Sequence, residues 1–190
     1  MRWQTEQKAK LDQLEAVHKK VSGDGPGRRY LTQLNHAYLV MLAAQWQDFC
    51  RNLHTEAADA VASAIQPATA RLAVQAALTL GRSLDRGNAG PSTIGNDFGR
   101  FGATKFWDLV DLQDRRNPAR RTRLEQLNTW RNGVAHQDFN WSREESKLIG
   151  KTRGTLDDVR MWRDACNALA QEMDRAVAHQ ALNLIGQQPW

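Results

Sequence analysis

Six arginines, Arg115, Arg116, Arg120, Arg121, Arg123 and Arg131, face a single acid, Glu125, between positions 115 and 131, so this stretch carries the chain's whole formal charge of +5. A single-sign cluster attracts phosphates; its other outcome is a solvated helix face. Arg131 stands apart within the cluster. At about 100° per residue, Leu124, Leu127 and Val134 span an apolar arc, and Arg131 falls inside it. Taking a guanidinium out of water costs several kcal/mol unless charge-assisted hydrogen bonds offset it. Arg131 therefore needs a carboxylate partner, a subunit interface or a ligand. Asp48, beside Met41 and Gln45 on the edge of another apolar stripe, is the best placed carboxylate in the chain to orient it. A plain Arg131/Asp48 bridge between two helices, with no chemistry, is the alternative.

His136 follows Arg131 after four residues, which in an unbroken helix sets the two about 140° apart. Gly133 offers a place to bend or end the helix so that His136 swings toward the arginine; otherwise the two line different walls of one cleft. Among the other histidines, His36, His54 and His179 are expected on polar helix faces and His18 on an apolar edge. Cys50 and Cys166 stand alone, outside any CxxC or Cys/His spacing, and read as buried free thiols. No cofactor and no metal site is expected.

The elements that must position these residues are helices. Leu11, Leu14, Val17 and Val21 form a first stripe that ends at Ser22-Gly23-Asp24-Gly25-Pro26-Gly27, a helix followed by a flexible joint. From Tyr30 to about Ile65, apolar residues recur at three- and four-residue steps, the pattern of a long amphipathic helix. Ala-rich residues 68 to 84 follow Pro67 as a third helix, and the glycines between 87 and 102 read as a mobile connecting loop. Residues 103 to 113 and 118 to 135 are two further helices, the second started by Pro118. A closing helix over 155 to about 184 opens on Thr155 and two acids. No segment alternates with period two, so the fold class is all-α, an up-and-down bundle of about five helices. Residues 1 to 28 form the N-terminal helix and joint, and residues 29 to 190 the helical domain, in one compact domain overall.

The longest apolar run, Ala37 to Ala44, is far short of the roughly 18 to 20 residues that cross a bilayer. The polar N-terminus does not read as a signal peptide, so the expected location is cytoplasmic, with no membrane partner.

Arg131-Asn132-Gly133-Val134-Ala135-His136 resembles the signature of the HEPN superfamily: an arginine, a polar residue directly after it, and a histidine following four to six intervening residues. Leu42-Ala43-Ala44-Gln45-Trp46-Gln47-Asp48-Phe49-Cys50-Arg51-Asn52-Leu53 looks like the long helix common in that superfamily, and residues 30 to 185 are most similar in kind to its RiboL-PSP type. Many relatives carry a glutamate two residues before the helix phenylalanine, whereas this chain has Gln47 there and Asp48 next to it. The departure leaves open which acid pairs with Arg131.

The resemblance implies a metal-independent endoribonuclease, often dimeric, with the motifs meeting at the interface. On this reading Arg131 and His136 are catalytic and Asn132 holds the phosphate or ribose. Asp48 supports Arg131, and Arg120, Arg121 and Arg123 offer a track for the RNA backbone. Phe139 and Trp141 either stack on an unpaired base or pack the following loop. The expected partners are RNA, a second copy of the chain, and an antitoxin or regulatory protein, in a toxin-antitoxin or phage-defence setting. The alternative is a non-catalytic helical module that binds nucleotide or protein, with Arg131 in a structural bridge.

Overall fold

The computed structural model describes residue 3 and residues 8–23, 28–102, 105–150 and 154–190. All regular structure there is helical: α1 (Lys8–Gly23), α2 (Arg28–Ser63), α3 (Ala68–Thr79), α4 (Pro91–Phe98), α5 (Phe106–Asp111), α6 (Asn117–His136), α7 (Arg143–Ile149) and α8 (Leu156–Ile185). Short 3₁₀ turns occupy Ser83–Asp85 and Gly99–Phe101. The all-α expectation holds, while the described residues hold eight helices rather than about five. The joint expected after α1 falls on residues 24–27, outside the described residues. No helix among those described is long and apolar enough to cross a membrane.

By its contacts the chain divides into two compact units, with the boundary crossing α2, α8 and the first turn of α6. The first comprises Met1–Trp46 and Ala119–Ala168. Its core takes Leu11 from α1, Tyr38, Leu39, Leu42 and Trp46 from α2, Leu124, Leu127 and Trp130 from α6, and Val159, Trp162 and Cys166 from α8. The stripe of α1 is narrower than its spacing suggests, because Leu11 and His18 are buried while Val17 is 49% exposed. A buried arginine ties the helices together: Arg163 donates to Tyr38 Oη at 3.0 Å and to Glu15 at 3.3 Å, and pairs with Asp12. Those charge-assisted bonds offset the desolvation of its guanidinium.

The second unit comprises Gln47–Pro118 and Leu169–Trp190. Residues 87 to 102, expected as a loop, instead hold α4 and a 3₁₀ turn. Gly90 precedes α4 and Pro91 opens it, where proline's missing N–H is no loss. Ile94, Phe98 and Phe101, at helical spacing, bury one face. The buried carboxylate of Asp97 accepts from Ser83 N at 3.0 Å and Leu84 N at 2.7 Å, fixing the turn that leads into α4. His54 is fully buried rather than on a polar face. It packs against Phe98 and Phe101, and its Nε2 lies 3.1 Å from the Asp97 carbonyl. Here α2 is covered on a wide arc, with Leu53, His54, Ala57, Ala58 and Val61 all buried. Cys50 and Cys166 are buried free thiols, one in each unit.

Candidate functional site

The last turns of α6 present the Arg131, Asn132 and His136 group. Leu124, Leu127 and Trp130 anchor the helix in the first unit's core, and Arg131, between them in angle, is half-buried. Its guanidinium donates to Asn132 Oδ1 at 3.2 Å. Among the described residues of this unit, no carboxylate lies within ion-pairing distance of Arg131. Asp48 belongs to the second unit, where Asn52 Nδ2 donates to its carboxylate at 3.2 Å.

At Gly133 the helix neither ends nor turns His136 toward the arginine. The helix continues to His136, and Gln137 ends it in the left-handed region at φ 53°. Asp138 N then donates to Gly133 O at 3.0 Å and Gln137 N to Val134 O at 3.4 Å, a Schellman closure with glutamine at the position glycine usually takes. On this unbroken helix Arg131 and His136 stay about 140° apart around the axis and about 7.5 Å apart along it. One chain therefore joins Arg131 to Asn132 and leaves His136 on another face, exposed to solvent.

Gly133 serves packing instead. A Cβ there would overlap the Trp141 indole. Trp141 folds back onto α6, meeting Trp130 edge-on at 5.4 Å and Phe139 at 5.8 Å, with Trp162 beyond Trp130 at 6.4 Å. Trp141 thus packs the returning loop. Phe139 stacks on His36 at 5.8 Å and keeps 42% of its surface exposed. Burial lowers the pKa of His36, favouring the neutral ring.

Arg123 is exposed, and Arg120 and Arg121 are half-buried. They do not form a single line: by helical angle Arg120 lies within about 20° of Arg131, with Arg123 about 60° and Arg121 about 100° from Arg120. The Arg123 side of α6 borders a cavity of about 360 Å³, walled by Trp130, Ile149, Met161 and Trp162. Its walls are fixed, because Trp162 Nε1 donates to Gln126 Oε1 at 3.2 Å and Gln126 Nε2 to Leu148 O at 2.8 Å. Sequence spacing did not reveal this cavity, since Ile149 lies on the short helix α7. Among the described residues no three His, Cys, Asp or Glu side chains gather as a metal site.

No family model, no curated protein and no solved structure matches the chain.

Proposed function

We propose that the chain is a HEPN-like endoribonuclease that cuts single-stranded or loop RNA by 2′-hydroxyl attack, acting as a toxin or phage-defence effector. The observation that carries this reading is Arg131: half-buried, bonded to the amide of Asn132, and without a carboxylate of its own unit to neutralise it. An arginine held by a neutral amide keeps its full charge for an anion. A plain bridge would have consumed it.

In the proposed reaction the 2′ oxygen bonds to the neighbouring phosphorus and the P–O5′ bond breaks. A base takes the 2′ proton, and an acid delivers a proton to the departing 5′ oxygen. Histidine, with a reference pKa of about 6.5, serves in either role near neutrality. Arg131 stabilises the charge developing on the phosphorane oxygens, and Asn132 hydrogen-bonds phosphate or ribose. Arg123 and Arg120 attract the backbone, and exposed Phe139 offers a stacking face.

The test is cleavage of a single-stranded RNA by the purified protein in EDTA, with DNA of the same sequence alongside. RNA should be cut to products ending in a 2′,3′-cyclic or 3′ phosphate, and DNA left intact. His136→Ala and Arg131→Ala should each abolish cutting, with the His136→Ala thermal midpoint nearly unchanged because the side chain is exposed. Loss of activity with EDTA, or equal cutting of DNA, would overturn the mechanism. The roughly 140° between Arg131 and His136 favours a second reading, a nucleotide- or protein-binding module. It would be recognised by a wild-type protein that binds RNA without cutting it and by binding that survives both substitutions.

A further inference from the structure

One arginine of the first unit stands unpaired beside a cavity. Ala119, Thr122, Arg123, Gln126 and Trp130 lie within about 100° around the axis of α6, and this stripe forms one wall of the cavity of about 360 Å³. Ile149 of α7 and Met161 and Trp162 of α8 face it, so most of the enclosing surface is apolar. The polar side chains of the wall are spent within the protein, with one exception. The Asp158 carboxylate accepts from Thr155 N at 3.0 Å and from Thr155 Oγ1 at 2.7 Å. The Gln126 amide is held between Trp162 and Leu148, and Thr122 is engaged as well. Arg123, exposed and one turn from both Ala119 and Gln126, has no hydrogen bond or ion pair among the described residues.

The chemistry of this wall defines the occupant. An unpaired guanidinium offers five N–H donors and a permanent positive charge, and a carboxylate meets it through two parallel bonds. The rest of the wall has no free donors or acceptors of that kind. A nucleobase seated there would leave its ring nitrogens and carbonyls stripped of water and unpaired, a cost that nothing offsets. A cation is repelled by Arg123, and a bare phosphate gains nothing from the hydrocarbon surface. An acid with an apolar body matches both parts, and the flexible thioether of Met161, half-exposed, adapts to its outline. The volume falls within the range of small-molecule sites. We propose that this cavity binds an apolar monocarboxylate, its hydrocarbon body against Trp130, Ile149, Met161 and Trp162 and its carboxylate on Arg123. The site does not depend on cleavage by Arg131 and His136.

The experiment is ligand-detected NMR and calorimetric titration of the full chain at neutral pH with octanoate and 3-phenylpropionate, each beside its neutral amide and beside acetate. Saturable binding of at least one of the two acids is expected, accompanied by a rise in thermal midpoint. The matching amide should bind at least about tenfold more weakly, the order of a lost charge-assisted bond. Acetate, which has the charge without the body, should not compete. Arg123→Gln should bring the acid down to the affinity of its amide. Ala119→Trp should fill the mouth of the cavity and abolish binding of acid and amide together. Both positions are exposed, so neither substitution threatens the fold. Arg131→Ala should bind as the wild type does, which separates this site from the cleavage reading; loss of binding there would place the carboxylate on Arg131 and overturn the proposal. It is equally overturned if neither acid binds at millimolar concentration, if acid and amide bind alike, if acetate competes as well as octanoate, or if Arg123→Gln or Ala119→Trp holds the acid as tightly as the wild type.

Discussion

A Cβ on Gly133 would meet the Trp141 ring and lie 3.1 Å from the Asp138 carbonyl, so two opposed effects bear on Gly133→Ala. Alanine in a helix interior gains about 1 kcal/mol over glycine, whereas overpacking a fitted contact costs about 1 to 3 kcal/mol. Steric cost wins here, because Trp141 makes room only by giving up its packing against Trp130 and Phe139. Gly133→Ala should therefore lower stability by about 1 to 2 kcal/mol in urea unfolding. Its displacement of Trp141 should register as a change in tryptophan fluorescence. A more stable variant would refute this account. His54 yields a pH prediction of definite sign. Burial against Phe98 and Phe101, helped by Arg82 with its Nη1 3.4 Å from Nδ1 and by Arg100, outweighs the opposing effect of Asp97 and lowers its pKa from 6.5 to about 4. Between those two values the unfolded chain binds the proton and the folded one resists it, so stability falls as pH drops from 6.5 toward 4. The loss approaches about 3 kcal/mol. His54→Gln should flatten that part of the profile; an equally steep profile in the variant would place the acid sensitivity elsewhere.

At the scale of elements, α6 is both a core helix and the carrier of the charge, and its arginines are sorted by angle. Arg120 and Arg131 lie on nearly one line about 16 Å apart along the axis, Arg123 beside it, and Arg121 farther round. RNA laid along that line meets Arg120 and Arg123 before Arg121. Replacing Arg120 and Arg123 by Gln should weaken RNA binding and reduce the log-log salt slope by up to about 0.7 per lost contact, with Arg121→Gln doing less. An unchanged slope would assign these arginines to a solvated face. The long stripes of α2 and α8 were readable because they repeat over many turns, and the charge and apolar arc of α6 were readable for the same reason. α4 was hidden by Gly90, Gly95 and Gly99 around its few apolar residues, and seven-residue α7 is too short to show a period. His54 was misjudged because a helix wheel does not register that α2 is covered on more than one side. At the site itself, residue types and spacing were legible. The role of Gly133 was not, since it depends on Trp141 folding back after a turn set by Gln137.

For the whole molecule, the proposed chemistry asks for Arg131 and His136 at one phosphate, with one imidazole taking the 2′ proton and then giving it to the departing 5′ oxygen. The straight course of α6 sharpens the demand. Within a chain Arg131 and His136 point about 140° apart, so a single copy does not converge both on one phosphate. A two-fold axis beside the end of α6 would bring Arg131 and Asn132 of one protomer toward His136 of its partner, and do so twice. Symmetric dimers are the commonest closed oligomers, and their interfaces are self-complementary. The active species is therefore expected to be a homodimer with a shared site. Specific activity should fall as the protein is diluted through its dimer dissociation constant, and sedimentation should show monomer emerging over the same range. Mixing inactive Arg131→Ala with inactive His136→Ala should restore part of the activity, because a heterodimer retains one site with both side chains intact. A monomer that keeps full activity on dilution, or a mixture that stays dead although heterodimers form, would rule out the shared site.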